Sequence, residues 1–155
     1  MIHQRHTTQT SETASRPLAH FPGKYLSLMS RRSDGTEVAT PVWFVEEDGR
    51  LLVLTDADSY KVKRIRRDPS VRIAVCSASG RLKTEPVAAH AELLPESHTE
   101  RVRQLMARKY RLDRIFILPV FRAIQRLRHP HHRAGAPAVL AIAPAPGSGD
   151  HRQGR

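Results

Sequence analysis

A small antiparallel β-barrel with helical additions is the fold class this sequence predicts, and three observations predict it. Short apolar stretches alternate in period through much of residues 24–94, as strands with one buried face do. Two Asp-Gly pairs, Asp34-Gly35 and Asp48-Gly49, divide the first of these stretches, which is the signal of tight hairpin turns. The period becomes helical over residues 96–110, and an apolar run near the C-terminus closes the pattern. At 155 residues the chain suits a single domain with one core. Aromatic residues make up only 5%, so that core must be mainly aliphatic.

Each element follows from local chemistry. Residues 24–31 alternate Tyr25, Ser27 and Met29 against Leu26, Leu28 and Ser30. After the first Asp-Gly turn, Thr36 to Val45 continues as a second strand, and after the second turn Leu51 to Thr55 forms a third, an antiparallel meander. A short helix follows, with Asp56 or Asp58 as cap, Val62 and Ile65 on one face, and Pro69 at its end. Ser70 to Ser77 alternates again, Ser79-Gly80 turns the chain, and Pro86 to Leu94 gives a fifth strand. Val102, Leu105, Met106 and Tyr110 then share one helical face. A second helix is expected from Asp113 to about Arg128, bent at Pro119, followed by a polar loop over residues 129–133 and a last strand, Ala138 to Ile142. Residues 1–20 and 144–155 have too little apolar content to order and are expected to be disordered tails around a domain of residues 21–143.

Composition excludes several classes. Cys76 is the one cysteine, so neither an intramolecular disulfide nor a cysteine-rich zinc site can form. No apolar run approaches the roughly 20 residues of a membrane helix, and the N-terminus lacks the apolar core of a secretory signal; a cytoplasmic protein with no membrane span is expected. Against 15 acidic residues stand 26 Lys and Arg, a formal charge of +11 that favours polyanionic partners.

The densest chemical signal lies in residues 55–69. A strand ends at Thr55, Ser59 sits where a helix begins, and Lys61, Lys63, Arg64, Arg66 and Arg67 follow. Free amides at a helix start, a hydroxyl and a lysine together suit a phosphate. A solvated basic face is the competing reading, and the close sequence of strand end, hydroxyl, helix start and lysine favours the site.

Thr55-x-x-x-Ser59-x-Lys61 resembles the phosphate segment of the pyridoxamine 5'-phosphate oxidase-like split β-barrel flavoproteins, the FMN-binding split-barrel class. The resemblance is closer to their deazaflavin (F420)-dependent branch, found mostly in actinobacteria. It is carried by Asp34-Gly35-Thr36, Thr40-Pro41-Val42-Trp43-Phe44, the run from Ser59 to Pro69, and Cys76-x-x-x-Gly80-Arg81, in that order, over about residues 21–94. The resemblance implies an F420-dependent oxidoreductase of split-barrel fold, acting as a homodimer on a small organic substrate. It implies that Lys61 holds the coenzyme phosphate with Ser59 and Thr55. It also implies that Thr40, Pro41, Val42 and Trp43 run beside the ring, and that Ser77, Gly80 and Arg81 lie near ring or tail. The flavin-using relatives carry arginine just before the lysine, where this chain has Tyr60; Arg64 or Arg66 can substitute. FMN is therefore the alternative coenzyme, in an oxidase or in a non-catalytic flavin or haem carrier.

Other candidates are weaker. His129, His131 and His132 have no carboxylate or cysteine beside them and read as a solvated loop, so no metal is expected. No set of side chains has the spacing of a hydrolase triad, and no catalytic side chain is singled out. Cys76 reads as a buried neutral thiol. Of Trp43 and Phe44, adjacent on a strand, one belongs to the core and one can line a site. The arginines of residues 101–128 read as a solvated face, and no aromatic platform is interleaved with them, so nucleic acid is not an expected partner.

Overall fold

The computed structural model describes residues 21–111 and 135–145. The tail expected over residues 1–20, residues 146–155 of the tail expected over 144–155, the helix expected at 113–128 and the histidine loop lie outside the described residues. Among the described residues, seven strands form one antiparallel sheet: β1 (Tyr25–Arg31), β2 (Glu37–Trp43), β3 (Val45–Glu47), β4 (Arg50–Asp56), β5 (Ser70–Cys76), β6 (Val87–Leu93) and β7 (Pro137–Pro144). Their spatial order is β2-β1-β5-β6-β7-β4-β3. The two helices among the described residues are α1 (Tyr60–Arg67), between β4 and β5, and α2 (Thr99–Lys109), entered through a 3-10 turn at Glu96–His98.

The expected meander needs one correction. The run from Thr36 to Val45 is not a single strand: it breaks at Phe44, so that β2 pairs with β1 and β3 pairs with β4. β2 and β3 thus occupy opposite edges of the sheet although one residue separates them in sequence. The sheet must curl for its two edges to meet at Phe44, which produces the half-barrel. Pro41 is tolerated because β2 is an edge strand, where a missing N–H removes no inner-ladder bond.

Both Asp-Gly turns form. Asp48 and Gly49 have φ of 51° and 73°, the paired positive values of a two-residue hairpin turn between β3 and β4. In the first turn the Asp34 carboxylate accepts from the Thr36 N–H and hydroxyl, and these bonds hold its pKa below the usual carboxylate value. The last strand is longer than expected, running from Pro137 to Pro144.

Two apolar layers result. Leu26, Leu28, Phe44, Leu51, Val53, Val71, Ile73, Leu140 and Ile142 fill the inner face, and α1 closes it with Val62 and Ile65. α2 packs Val102, Met106 and Tyr110 on the outer face of β3, β4 and β7, against Val45, Leu52, Val139 and Ala141. Arg101 of α2 pairs with Glu47 at 2.6 Å, and Arg103 with Glu100 at 2.9 Å, so part of the arginine face is ion-paired. No helix among the described residues is long and apolar enough to cross a membrane.

Candidate functional site

The residues expected to hold phosphate converge where β4 passes into α1. Asp56 closes β4 and organises the turn that follows: its carboxylate accepts from the Asp58 N–H at 2.8 Å and from the Gly135 N–H at 2.7 Å. It does not cap α1 as expected, and neither does Asp58. The cap position falls to Ser59, because Asp56 is already committed to the turn and to the segment that leads into β7.

Ser59 makes no side-chain capping bond. Its hydroxyl oxygen is buried and has no hydrogen-bond partner among the described residues. Lys61, one residue into the helix, lays its Nζ 2.9 Å from the Thr55 hydroxyl, a neutral acceptor. Burial lowers the Lys61 pKa from its ordinary value and the nearby Arg64 lowers it further, while Asp56 opposes both. The cluster therefore contains a buried hydroxyl without a partner and a desolvated cation resting on a neutral oxygen. Such groups cost free energy unless something completes them.

Arg64 stands one turn further along α1. Its Nε donates to the buried Ser30 hydroxyl of β1 at 2.8 Å. Burial lowers its pKa, and the like charges of Arg32 and Arg67 act in the same direction. This end of α1 concentrates positive charge. Tyr60 is 61% exposed.

The remaining residues gather at the other end of β1. Tyr25 pairs with both Trp43 of β2 and Cys76 of β5, so the ends of those two strands flank it. Beyond Cys76 the chain makes a tight turn: the Ser77 N–H donates to Arg81 O, the Gly80 N–H donates to Ser77 O, and the Ser77 hydroxyl accepts from the Arg81 N–H at 3.1 Å. Gly80 adopts a φ of +88°, and a Cβ on it would stand 3.5 Å from Pro41 Cγ. The turn of residues 77–81 therefore lies directly against Pro41.

Thr55, Ser59, Lys61 and Arg64 thus form one group, and Pro41, Trp43, Ser77, Gly80 and Arg81 form another. β2, which carries residues 40–43, also touches β4, the strand that ends at the first group. Along that segment Thr40 is paired with Leu28 and Val42 with Leu26, on the inner face. Pro41 and Trp43 fall on the outer face, and Trp43 stacks on Tyr110 with centroids 4.5 Å apart and planes 6° from parallel. Phe44 is the core member of the aromatic pair. Cys76 is buried, and burial raises its pKa, as expected for a neutral thiol. Among the described residues, no cluster of His, Cys, Asp or Glu could hold a metal ion.

Sequence reasoning missed two contributors. Ser30 was placed only in a strand pattern, and Tyr110 only on an apolar helix face. Nothing in their spacing shows that one meets Arg64 and the other meets Phe44.

No family model matches the sequence, and no curated protein matches it. Solved structures do resemble the fold. A candidate pyridoxamine 5'-phosphate oxidase of Listeria innocua is 17% identical, with a TM-score of 0.53 over 80% of this chain and 86% of that one. A conserved hypothetical protein of Mycobacterium tuberculosis gives the same identity and TM-score over 80% and 74%. The haem storage protein HutZ of Vibrio cholerae is 18% identical, with a TM-score of 0.50 over 80% and 83%. The chain has the split β-barrel fold of pyridoxamine 5'-phosphate oxidase-like proteins.

Proposed function

We propose that this split barrel binds a phosphate-bearing flavin-type coenzyme and works as an F420-dependent oxidoreductase, exchanging a hydride with a small organic substrate. The observation that carries this reading is the incomplete cluster at the start of α1: the buried Ser59 hydroxyl without a partner beside Lys61, whose ammonium rests on Thr55. A phosphate oxygen would accept from both, and the backbone amides at the start of an eight-residue helix add a further positive end. The bound deazaflavin supplies the hydride chemistry itself.

The chain's own residues bind and orient. Lys61, Ser59 and Thr55 hold the phosphate. Edge strand β2 offers its outer backbone groups along residues 40–43, where Thr40, Pro41, Val42 and Trp43 form the wall beside the ring. The turn carrying Ser77, Gly80 and Arg81 borders Pro41 and closes that wall. The net charge of +11 suits the oligoglutamate tail that distinguishes F420 from FMN. A homodimer completes the proposal, with each subunit bordering both sites; sedimentation showing a monomer that binds coenzyme fully would remove that element.

One observation keeps FMN as the second reading. Arg64 lies close enough to Lys61 to lower its pKa, and so can take the place of the arginine that Tyr60 lacks. An FMN-dependent oxidase or a flavin or haem carrier would follow. Dissociation constants for F420 and FMN at 50 mM and 500 mM salt separate the two. F420 should bind more tightly, by a margin that shrinks with salt as exposed tail contacts, each worth roughly 0–1 kcal/mol, are screened. Tighter binding of FMN at low salt would overturn the F420 assignment. Turnover of reduced F420 separates an enzyme from a carrier.

A further inference from the structure

We infer that Tyr110 is a positioning residue for the coenzyme ring, holding segment 40–43 in place from the end of α2. The inference rests on the reading that this segment lies beside the ring. Phe44 is the residue at which the chain leaves the β1 ladder and joins the β4 ladder, so neither ladder serves its peptide groups. Phe44 is fully buried, and buried N–H and C=O groups require partners.

Lys109, the last residue of α2, and Tyr110 just after it supply them from 65 and 66 residues away in sequence. The Phe44 N–H donates to Tyr110 Oη at 3.0 Å, and Lys109 Nζ donates to Phe44 O at 2.9 Å. The Tyr110 hydroxyl hydrogen faces two carbonyl oxygens, those of Phe44 and Lys24, each 2.8 Å away. The Tyr110 ring, meanwhile, stacks on Trp43. One side chain therefore fixes the peptide at the break, the last side chain of β2 and the residue that precedes β1. The angle at which β2 departs from β3 is set there, and with it the line of Thr40 to Trp43 and the seat of Pro41 against Gly80.

Tyr110→Phe keeps the stacked ring and removes the hydroxyl. Amide hydrogen exchange at Trp43, Phe44 and Val45 should accelerate about tenfold or more, with the circular dichroism spectrum unchanged. F420 and FMN affinities should fall about tenfold, and the absorption shift of the bound ring should diminish. Affinity for inorganic phosphate, which needs only the Lys61 cluster, should hold. Unchanged exchange, or faster exchange with unaltered coenzyme affinity and spectrum, overturns the inference. Should Tyr110→Phe fail to fold, Lys109→Met removes the second bond to Phe44 O and is read by the same exchange and titration measurements. If the wild-type protein binds neither coenzyme, the functional reading has failed and the ring role falls with it; exchange at Phe44 then reports separately on whether Tyr110 restrains the strand.

Discussion

The junction of β4 with α1 and the break at Phe44 pose the same physical problem and answer it differently. Each is a place where regular structure stops and polar groups are left inside the molecule. At Phe44 every such group is answered: Tyr110 and Lys109 take the peptide N–H and C=O, and Trp43 is stacked. At the junction two are not fully answered: among the described residues the Ser59 hydroxyl has no partner, and the desolvated Lys61 ammonium meets a neutral oxygen, that of Thr55. A saturated irregularity is architecture. The unsaturated one, beside a desolvated lysine, is where we propose that the coenzyme phosphate completes the structure.

Substitutions can break that contrast, and the largest effect belongs to the saturated region. Tyr110→Ala removes a fully buried ring, its stack on Trp43 and the acceptor of the Phe44 N–H. Stability should fall by about 3–5 kcal/mol, as truncation of a buried aromatic residue does. Chemical denaturation measures it. A loss under about 1 kcal/mol would mean that the break does not depend on α2.

Lys61→Ala should do the reverse: little change in stability, and a loss of about 1.5–3 kcal/mol in coenzyme affinity as a charge-assisted bond disappears. Unchanged affinity with an intact fold would remove Lys61 from the site. The pH dependence sharpens this test. Burial first, then Arg64, places the Lys61 pKa in the fold below its ordinary value of 10.5. The folded protein therefore binds fewer protons here than the unfolded chain does in the window between the lowered value and 10.5, and stability rises with pH across that window. Anion affinity should fall over the same window as the ammonium loses its charge. Lys61→Arg should bind with no such fall, since arginine stays charged.

The two regions also differ in how far the sequence revealed them. Thr55, Ser59, Lys61 and Arg64 lie within ten residues, so strand end, helix start and basic residues could be read together before any fold was known. The hairpin turns were legible for the same reason, since Asp48-Gly49 carries its positive φ values locally. The break at Phe44 was not. Val42, Trp43, Phe44 and Val45 form one run of strand-forming residues with no turn signal at Phe44, and the partners that make a break affordable, Lys109 and Tyr110, lie 65 and 66 residues away. Ser59 as cap was hidden by two better-looking aspartates, one of which is occupied by Gly135. Local chemistry is legible in sequence; a long-range hydrogen bond that substitutes for a ladder is not.

The smallest expected effect is the most diagnostic. Serine at a helix cap ordinarily stabilises, and its replacement by alanine costs about 0.5–2 kcal/mol because a capping bond is lost. Ser59 makes no such bond, so that cost is absent. Its hydroxyl is instead buried without a partner, a state that costs roughly 1–3 kcal/mol by mutational estimates. Ser59→Ala should therefore leave the ligand-free protein as stable as before, or more stable by up to about 1 kcal/mol. The same change should weaken coenzyme binding by about 1 kcal/mol, the net worth of one hydrogen bond to phosphate. Stability and affinity then move in opposite directions, which a purely structural serine cannot produce. Thermal melts with and without coenzyme measure both on one sample. If Ser59→Ala lowers stability and affinity together, the hydroxyl is serving the fold, and the junction is as saturated as the break at Phe44.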